Sequence, residues 1–238
     1  MSENLYVGKT ALVTGASRGV GHMIAEHILR HGGMVTGFAR GDPTIDHPNY
    51  SHFRVDVTEP ASIERVFAEL RRSMAGVDIL VNNAGVLTAQ YSMIMPVQAA
   101  KSMFDTHLMG AFLVSREAAK MMRGRKWGRI VNISSMAAVL QPPGDSVYAA
   151  CKVGMGALAN VMAKEFASLN VTCNTLAITA LETDMLDQLP REKIAGVVAA
   201  LPLPRFAEPD DVMNVLDFFV SERSSYITAQ TVFLGGVS

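Results

Sequence analysis

Short apolar runs alternate with longer amphipathic stretches along the whole chain. The runs favour buried strands, and the stretches, in which apolar residues recur every three or four positions, favour helices. This alternation predicts an α/β fold with a doubly wound parallel sheet. The predicted strands are Ala11–Thr14, Met34–Phe38, Phe53–Val55, Ile79–Asn82, Arg129–Ile133, Val171–Leu176 and Thr231–Leu234. The predicted helices are Gly21–His31, Ala61–Met74, Val97–Met122, Val147–Leu169 and Pro209–Val220.

Length and composition narrow the class of protein. A chain of 238 residues is the size of one α/β domain. Its net charge of −1 provides no general attraction to nucleic acid or to an anionic membrane. The two cysteines do not form the framework of a disulfide-rich protein, and neither a signal peptide nor an apolar span is recognisable. We therefore expect a cytoplasmic protein.

A glycine-rich run near the N-terminus is the first candidate site. Residues 14–21 read T-G-A-S-R-G-V-G; they follow an apolar run and precede a helical pattern. Glycines at Gly15, Gly19 and Gly21 would let the backbone approach a pyrophosphate, and the helix N-terminus would supply amide donors. A strand, a glycine turn and a helix in this order predict a dinucleotide site.

A second candidate site combines Tyr148 with Lys152, four residues later. On a helix these residues lie on one face, one turn apart. An ammonium beside the phenol would lower the pKa of Tyr148, which predicts an acid–base pair for alcohol and carbonyl interconversion. Ser135 lies thirteen residues before the tyrosine and could hydrogen-bond the same substrate oxygen.

Together these motifs resemble those of the short-chain dehydrogenase/reductase family. The run Asn82-Asn83-Ala84-Gly85 matches the family's N-N-A-G motif, and Asp56-Val57 and Thr183 match positions that border adenine and nicotinamide. The resemblance implies one Rossmann-like domain over residues 1–238, with about seven strands and a substrate lid near residues 181–204. It implies that Tyr148 protonates the substrate, Ser135 orients the carbonyl and Lys152 also binds the nicotinamide ribose. The implied cofactor-binding residues are Gly15, Ser17, Arg18, Gly19, Val20, Gly21, Arg40, Asp56, Val57, Asn83, Ala84, Gly85, Tyr148, Lys152, Leu181 and Thr183.

The end of the second strand bears on cofactor choice. Relatives that prefer NAD carry an acid there, whereas this chain reads Ala39-Arg40, and Arg18 lies in the glycine loop. Two guanidinium groups could bind a 2′-phosphate, so the sequence predicts NADP(H). The alternative is that both are solvated surface charges.

Two positions depart from the family pattern. His107 stands where the family has an asparagine, which helps to hold a water between the catalytic lysine and solvent. A neutral imidazole could do the same and would add an acidic limb to the pH–rate profile; the alternative is a hydrogen-bonded core histidine. Ile178-Thr179 replaces the family's Pro-Gly, which predicts altered cofactor grip or lid geometry. These departures keep open a nucleotide-binding scaffold or regulator with low activity.

The implied substrate is a ketone. The chain resembles 3-oxoacyl-acyl-carrier-protein reductases of fatty-acid or polyketide assembly; oxidation of a small alcohol, steroid or sugar is the alternative. An apolar lid fits a greasy substrate, although a helix pair packed on its own body fits equally. The basic residues Arg123, Arg125, Lys126 and Arg129 could dock an acidic carrier protein or form a solvated turn.

The last two expectations are that the protein is an oligomer and that it has no metal site. The resemblance implies a homotetramer or homodimer joined through the two long helices. His27 and His31 lie four apart on a predicted helix without an evident third ligand, so we interpret them as surface or helix-end residues and predict no metal site.

Overall fold

Seven parallel strands form one sheet in the order β3-β2-β1-β4-β5-β6-β7, which confirms the predicted fold class. The computed structural model describes residues 5–73, 76–183, 186 and 191–237. The strands are β1 (Thr10–Thr14), β2 (Met34–Ala39), β3 (Tyr50–Arg54), β4 (Ile79–Asn82), β5 (Gly128–Ser135), β6 (Val171–Ile178) and β7 (Thr231–Phe233).

Helices cover both faces of the sheet. They are α1 (Gly19–Arg30), α2 (Pro60–Ser73), α3 (Val97–Phe104), α4 (Ala111–Arg125), α5 (Ala137–Leu140), α6 (Ser146–Glu165), α7 (Arg191–Ala199) and α8 (Pro209–Val220). Alternate residues of β1 point to opposite faces. Ala11 and Val13 pack with α1 and α8, whereas Leu12 packs with α2, α4 and α6. None of the helices in the described ranges is long and apolar enough to cross a lipid bilayer.

The strand order reverses between β1 and β4. From β1 the chain first builds outward through β2 and β3, and then crosses to begin the other half at β4. In doubly wound sheets the crevice beyond the carboxyl ends of the strands at such a switch point is the usual ligand site. The glycine run leaves β1 there, and the N-N-A-G run leaves β4 beside it.

The long helix predicted for Val97–Met122 is interrupted. Residues Asp105–Gly110 form a π-helical turn between α3 and α4. A π turn inserts one extra residue into the helical repeat and is common at functional sites. Apolar periodicity does not reveal it, because the residues on each side of the turn separately follow a helical pattern.

Other boundaries differ by a few residues. The edge strand β3 spans Tyr50–Arg54 instead of Phe53–Val55, since its residues pair with β2 although few of them are apolar. The helix predicted to reach Leu169 ends at Glu165. The predicted end of the second helix, Met74, lies outside the described residues. No helix forms in residues 41–49, as the broken sequence there predicts.

Candidate active site

A cavity of about 630 Å³ lies beyond the carboxyl ends of the strands. The structure brings to it every predicted site residue except Gly21: Gly15, Ser17, Arg18, Gly19, Val20, Arg40, Asp56, Val57, Asn83, Ala84, Gly85, His107, Ser135, Tyr148, Lys152, Leu181 and Thr183. Two separate sequence motifs, the glycine run and the tyrosine–lysine pair, therefore share one cavity.

The glycine loop packs tightly against the start of the N-N-A-G run. Gly15 has a φ of +70°, and a Cβ there would lie 2.9 Å from the Nδ2 of Asn83. Gly21 does not line the cavity: a Cβ on it would lie 2.3 Å from the carbonyl oxygen of Gly15, so its role is to let α1 approach the loop. Only glycine fits at these two positions, and without side chains there the loop backbone stays accessible to a ligand.

Thr14 joins the ends of β1 and β4, a role that the sequence did not reveal. Its Oγ1 accepts hydrogen bonds of 3.0 Å from the backbone N–H groups of Asn83 and Ala84. The Nδ2 of Asn83 donates in return to the Thr14 carbonyl at 3.0 Å. The signal was the threonine at the last position of the strand, where a side chain can cap the neighbouring loop.

Three charged side chains bear on the kind of dinucleotide that the cavity could hold. Arg18 and Arg40 are exposed at its rim, and neither guanidinium has a hydrogen bond or ion pair within the described part of the chain. Asp56 also borders the cavity, but its carboxylate accepts from the N–H and hydroxyl of Thr58, at 2.9 and 2.8 Å. No acidic residue ends β2, which finishes at Ala39.

Tyr148 and Ser135 meet in the cavity. Tyr148 lies in the first turn of α6, and Ser135 ends β5. Burial raises the pKa of Tyr148 to about 12; a hydrogen bond with Ser135 opposes this rise, and the charge of Asp145 adds to it. Ser134 instead donates to the backbone carbonyl of Lys152 at 2.9 Å, which supports the choice of Ser135.

The predicted lowering of the Tyr148 pKa by Lys152 is wrong for this structure. The Lys152 Nζ donates to the carbonyl of Ile133 at 2.9 Å and lies 5.4 Å from the centroid of the Tyr148 ring. Burial lowers the pKa of Lys152 to about 8. The helix spacing places the two side chains together, but a strand carbonyl, rather than the phenol oxygen, is the lysine's hydrogen-bond partner.

His107 lies in the π turn and packs edge-on against the Tyr148 ring, with centroids 5.4 Å apart. Its Nε2 lies 2.7 Å from the carbonyl oxygen of Val86. The backbone N–H of Val86 also lies 3.3 Å from Nε2. The shorter contact is to the carbonyl, which only accepts, so it assigns the proton to Nε2 and leaves Nδ1 as an acceptor. Nδ1 is buried and has no partner within the described residues.

The surroundings of His107 favour its neutral form. Burial, helped by the nearby charge of Lys152, lowers its pKa to about 3. The acidic limb expected from a histidine titrating near pH 6.5 is therefore wrong. Space for the ring comes from Gly85, where a Cβ would lie 2.6 Å from the Cε1 of His107.

Of the two residues that replace Pro-Gly, Ile178 ends strand β6 and Thr179 follows it. β6 runs to Ile178, which pairs with Ser135 and accepts a 2.8 Å hydrogen bond from the N–H of Met136. Thr179 is buried beside Gly235, and both replacements line the cavity.

The far end of the cavity is largely apolar. Its walls there include Val86, Leu87, Met136, Leu140, Pro142, Leu186, Ile194 and Val197. Within the predicted lid, Ile194 and Val198 pack on Ala180, so the lid both lines the cavity and packs on the body. Met185 and Leu189 of the lid lie outside the described residues. Asp145 also lines the cavity and is a buried acid among these apolar side chains. The sequence analysis did not identify it; its position one turn before Tyr148 was the available signal.

The predicted basic patch is smaller than the sequence indicates. Arg129 is buried, stacks on Trp127 at 4.4 Å and donates to the Gly128 carbonyl at 2.9 Å. The Nη1 of Arg125 donates to both carboxylate oxygens of Asp78, at 2.7 and 2.8 Å. Inclusion of Arg129 in a docking surface is therefore wrong, because stacking on the indole replaces its contact with solvent.

His27 lies in the last turn of α1 and His31 is the C-cap of that helix, so both are helix-end residues, as predicted. The alternative that His27 is a surface residue is wrong. His27 is buried, and its Nε2 lies 2.9 Å from the Asp217 carboxylate, which also accepts from the Tyr6 hydroxyl at 2.6 Å. This contact joins α1 to α8. Within the ranges that the structure describes, no group of three His, Cys, Asp or Glu residues is arranged to hold a metal ion.

Comparison with known proteins identifies the family. Residues 9–194 match the family described as short chain dehydrogenase. The chain belongs to the short-chain dehydrogenase family. The predicted oxidoreductase class is thereby confirmed.

Individual members of the short-chain dehydrogenase family match nearly end to end. The chain is 35% identical over 237 residues to the 3-oxoacyl-acyl-carrier-protein reductase FabG of Escherichia coli (strain K12), covering 97% of each protein. It is 33% identical over 239 residues to the FabG reductase of Aquifex aeolicus (strain VF5), covering 96% of each. Among solved structures, the ligand-free aldohexose dehydrogenase of Thermoplasma acidophilum superimposes with a TM-score of 0.90, at 27% identity over 99% of this chain and 95% of that one.

Proposed function

We propose that this protein reduces a ketone to a secondary alcohol with NADPH, and that its substrate is a 3-oxoacyl thioester carried by an acyl carrier protein. The observation that carries the proposal is the meeting of Tyr148 and Ser135 in an apolar cavity that continues to the glycine loop. The similarity to FabG reductases over nearly the whole chain supports the substrate class.

NADPH would supply the hydride for the carbonyl carbon. The glycine loop and the N-terminus of α1 would hold its pyrophosphate, and Arg18 and Arg40 would bind its 2′-phosphate. Support for the phosphate comes from the two unpaired guanidinium groups at the cavity rim and from the absence of an acid at the end of β2. Lys152 and Thr183 are the proposed contacts at the nicotinamide end.

Tyr148 donates the proton to the substrate oxygen. A phenol whose pKa is about 12 is fully protonated at neutral pH, which suits an acid in the direction of reduction. Ser135 orients the carbonyl oxygen by its hydroxyl. His107 offers its Nδ1 as the acceptor for a water in the path that resupplies the proton, and the burial of that unpartnered atom supports this role.

The apolar end of the cavity favours an acyl chain over a sugar, since it offers few partners for hydroxyl groups. Arg123 and Lys126, which are exposed beside β5, are the remaining candidates for steering an acidic carrier. Assembly as a homotetramer or homodimer and a cytoplasmic location stay predictions.

A panel of ketones tests the proposal. Steady-state NADPH oxidation is measured with a 3-oxoacyl group on acyl carrier protein, the same group on a short thiol, and free ketones of equal length. We expect the highest kcat/KM for the carrier-bound substrate. Higher activity with aldohexose and an oxidised cofactor would favour the alternative of sugar oxidation, and cofactor binding without turnover of any substrate would favour the scaffold.

A further inference from the structure

The segment between β2 and β3 is ordered although it contains no helix. His52 donates from Nε2 to the carbonyl of Gly41 at 2.9 Å, and Ile45 packs against the hydrophobic core beside α1. We call residues 41–45 the strap. It is therefore held from β3 at one end and by the core at the other.

Thr44 connects the strap to the glycine loop. Its hydroxyl donates to the carbonyl of Ser17 at 2.9 Å. A hydroxyl has one proton, so the contact of 3.1 Å with the Nδ1 of His22 must be a hydrogen bond that Thr44 accepts. A chain of donors thus runs from His22 on α1, through the strap, to the backbone of the glycine loop.

This chain ends at the peptide bond that leads into Arg18. The carbonyl of Ser17 and the N–H of Arg18 belong to the same planar unit, so fixing one fixes the other. Arg18 precedes α1 with an extended backbone, at φ −161° and ψ 169°. The Arg18 guanidinium has no partner within the described residues. The direction in which the side chain leaves the backbone is therefore set by the backbone conformation of Arg18.

We infer that Thr44 is a positioning residue for the 2′-phosphate of the cofactor: it orients, through the Ser17 carbonyl, the peptide that carries Arg18. The inference rests on the proposed preference for NADPH. The strap supplies this contact from outside the glycine loop.

Three variants and two cofactors test the inference. Thr44→Val removes the hydroxyl and keeps the branched shape, whereas Thr44→Ser keeps the hydroxyl. The matched control is Thr231→Val, an exposed threonine in β7 at the opposite edge of the sheet, without a side-chain hydrogen bond in the described part of the chain. The dissociation constants of NADPH and NADH are measured by calorimetry, and thermal unfolding without cofactor checks the fold.

One exposed hydrogen bond corresponds to about a three- to tenfold effect. We expect Thr44→Val to raise the dissociation constant of NADPH by that factor and that of NADH by less than about twofold. Turnover at saturating NADPH should be unchanged. Thr44→Ser and Thr231→Val should match the parent in both constants and in unfolding temperature.

Equal weakening of both cofactors by Thr44→Val, or no weakening of NADPH, would overturn the inference in a parent that prefers NADPH, and would leave the proposed function intact. A parent that binds NADH more tightly would overturn the NADPH proposal, and the inference with it. A loss of NADPH affinity in Thr44→Ser as large as that in Thr44→Val would show that the hydroxyl is not what the site requires, and would overturn the inference.

Discussion

Gly85→Ala tests the packing of His107 against Tyr148, the proposed proton donor. An alanine Cβ would lie 2.6 Å from the Cε1 of His107, well inside the 3.4 Å at which ordinary contact begins. The ring cannot easily move, because it is 1% exposed and bonded to Val86. Overpacking typically costs about 1–3 kcal/mol, and loss of the bond to Val86 about 1 kcal/mol more. Gly85 does not have a positive φ, so backbone strain adds nothing.

A double-mutant cycle isolates this contact. Urea unfolding, followed by the fluorescence of the single tryptophan, Trp127, gives the free energies of unfolding of Gly85→Ala, His107→Ala and the pair. We expect Gly85→Ala to cost about 2–4 kcal/mol in the parent and under about 1 kcal/mol in the His107→Ala background. An equal cost in both backgrounds would refute the proposed collision, and with it the placement of His107 against Tyr148.

Three further predictions follow from the site. Arg40→Ala should weaken NADPH at least about tenfold and NADH little, and the loss should shrink at high salt; equal losses in titrations of both cofactors would contradict this. Asp145→Asn removes a charge that raises the pKa of Tyr148, so that pKa should fall and reductase activity should be lost at a lower alkaline pH than in the parent. A pH–rate profile whose alkaline loss begins at the same or a higher pH would contradict this. Arg123→Glu combined with Lys126→Glu should raise the KM of a carrier-bound ketone but not that of a free ketone, because these charges would steer the acidic carrier. Equal changes in the two KM values would exclude carrier docking at these residues.

The sequence was sufficient for the fold and for most of the predicted residues that line the cavity. The glycine run, the N-N-A-G run and the Tyr148–Lys152 spacing are local patterns. Each can be recognised in the sequence without knowledge of the contacts made by distant residues. Parallel strands bring their carboxyl ends to one edge, so residues far apart in sequence met in one cavity as predicted.

Tertiary contacts decided the rest. Arg129 is a charge in a basic run, and its burial depends on stacking with Trp127 and on a hydrogen bond to the Gly128 carbonyl, neither of which the run reveals. Helical spacing brings Lys152 close to Tyr148 but does not reveal the Ile133 carbonyl that takes the lysine's hydrogen bond, nor the burial that raises the tyrosine's pKa. The π turn was invisible because one inserted residue leaves the apolar pattern on both sides intact.

Turnover of Tyr148→Phe measures the central claim most directly. The variant keeps the ring that packs against His107 and removes the hydroxyl that meets Ser135. NADPH oxidation with a 3-oxoacyl thioester should fall by about 10²- to 10⁴-fold, while the dissociation constant of NADPH stays within about twofold of the parent's. Turnover close to that of the parent, with cofactor binding unchanged, would contradict the assignment of Tyr148 as the proton donor.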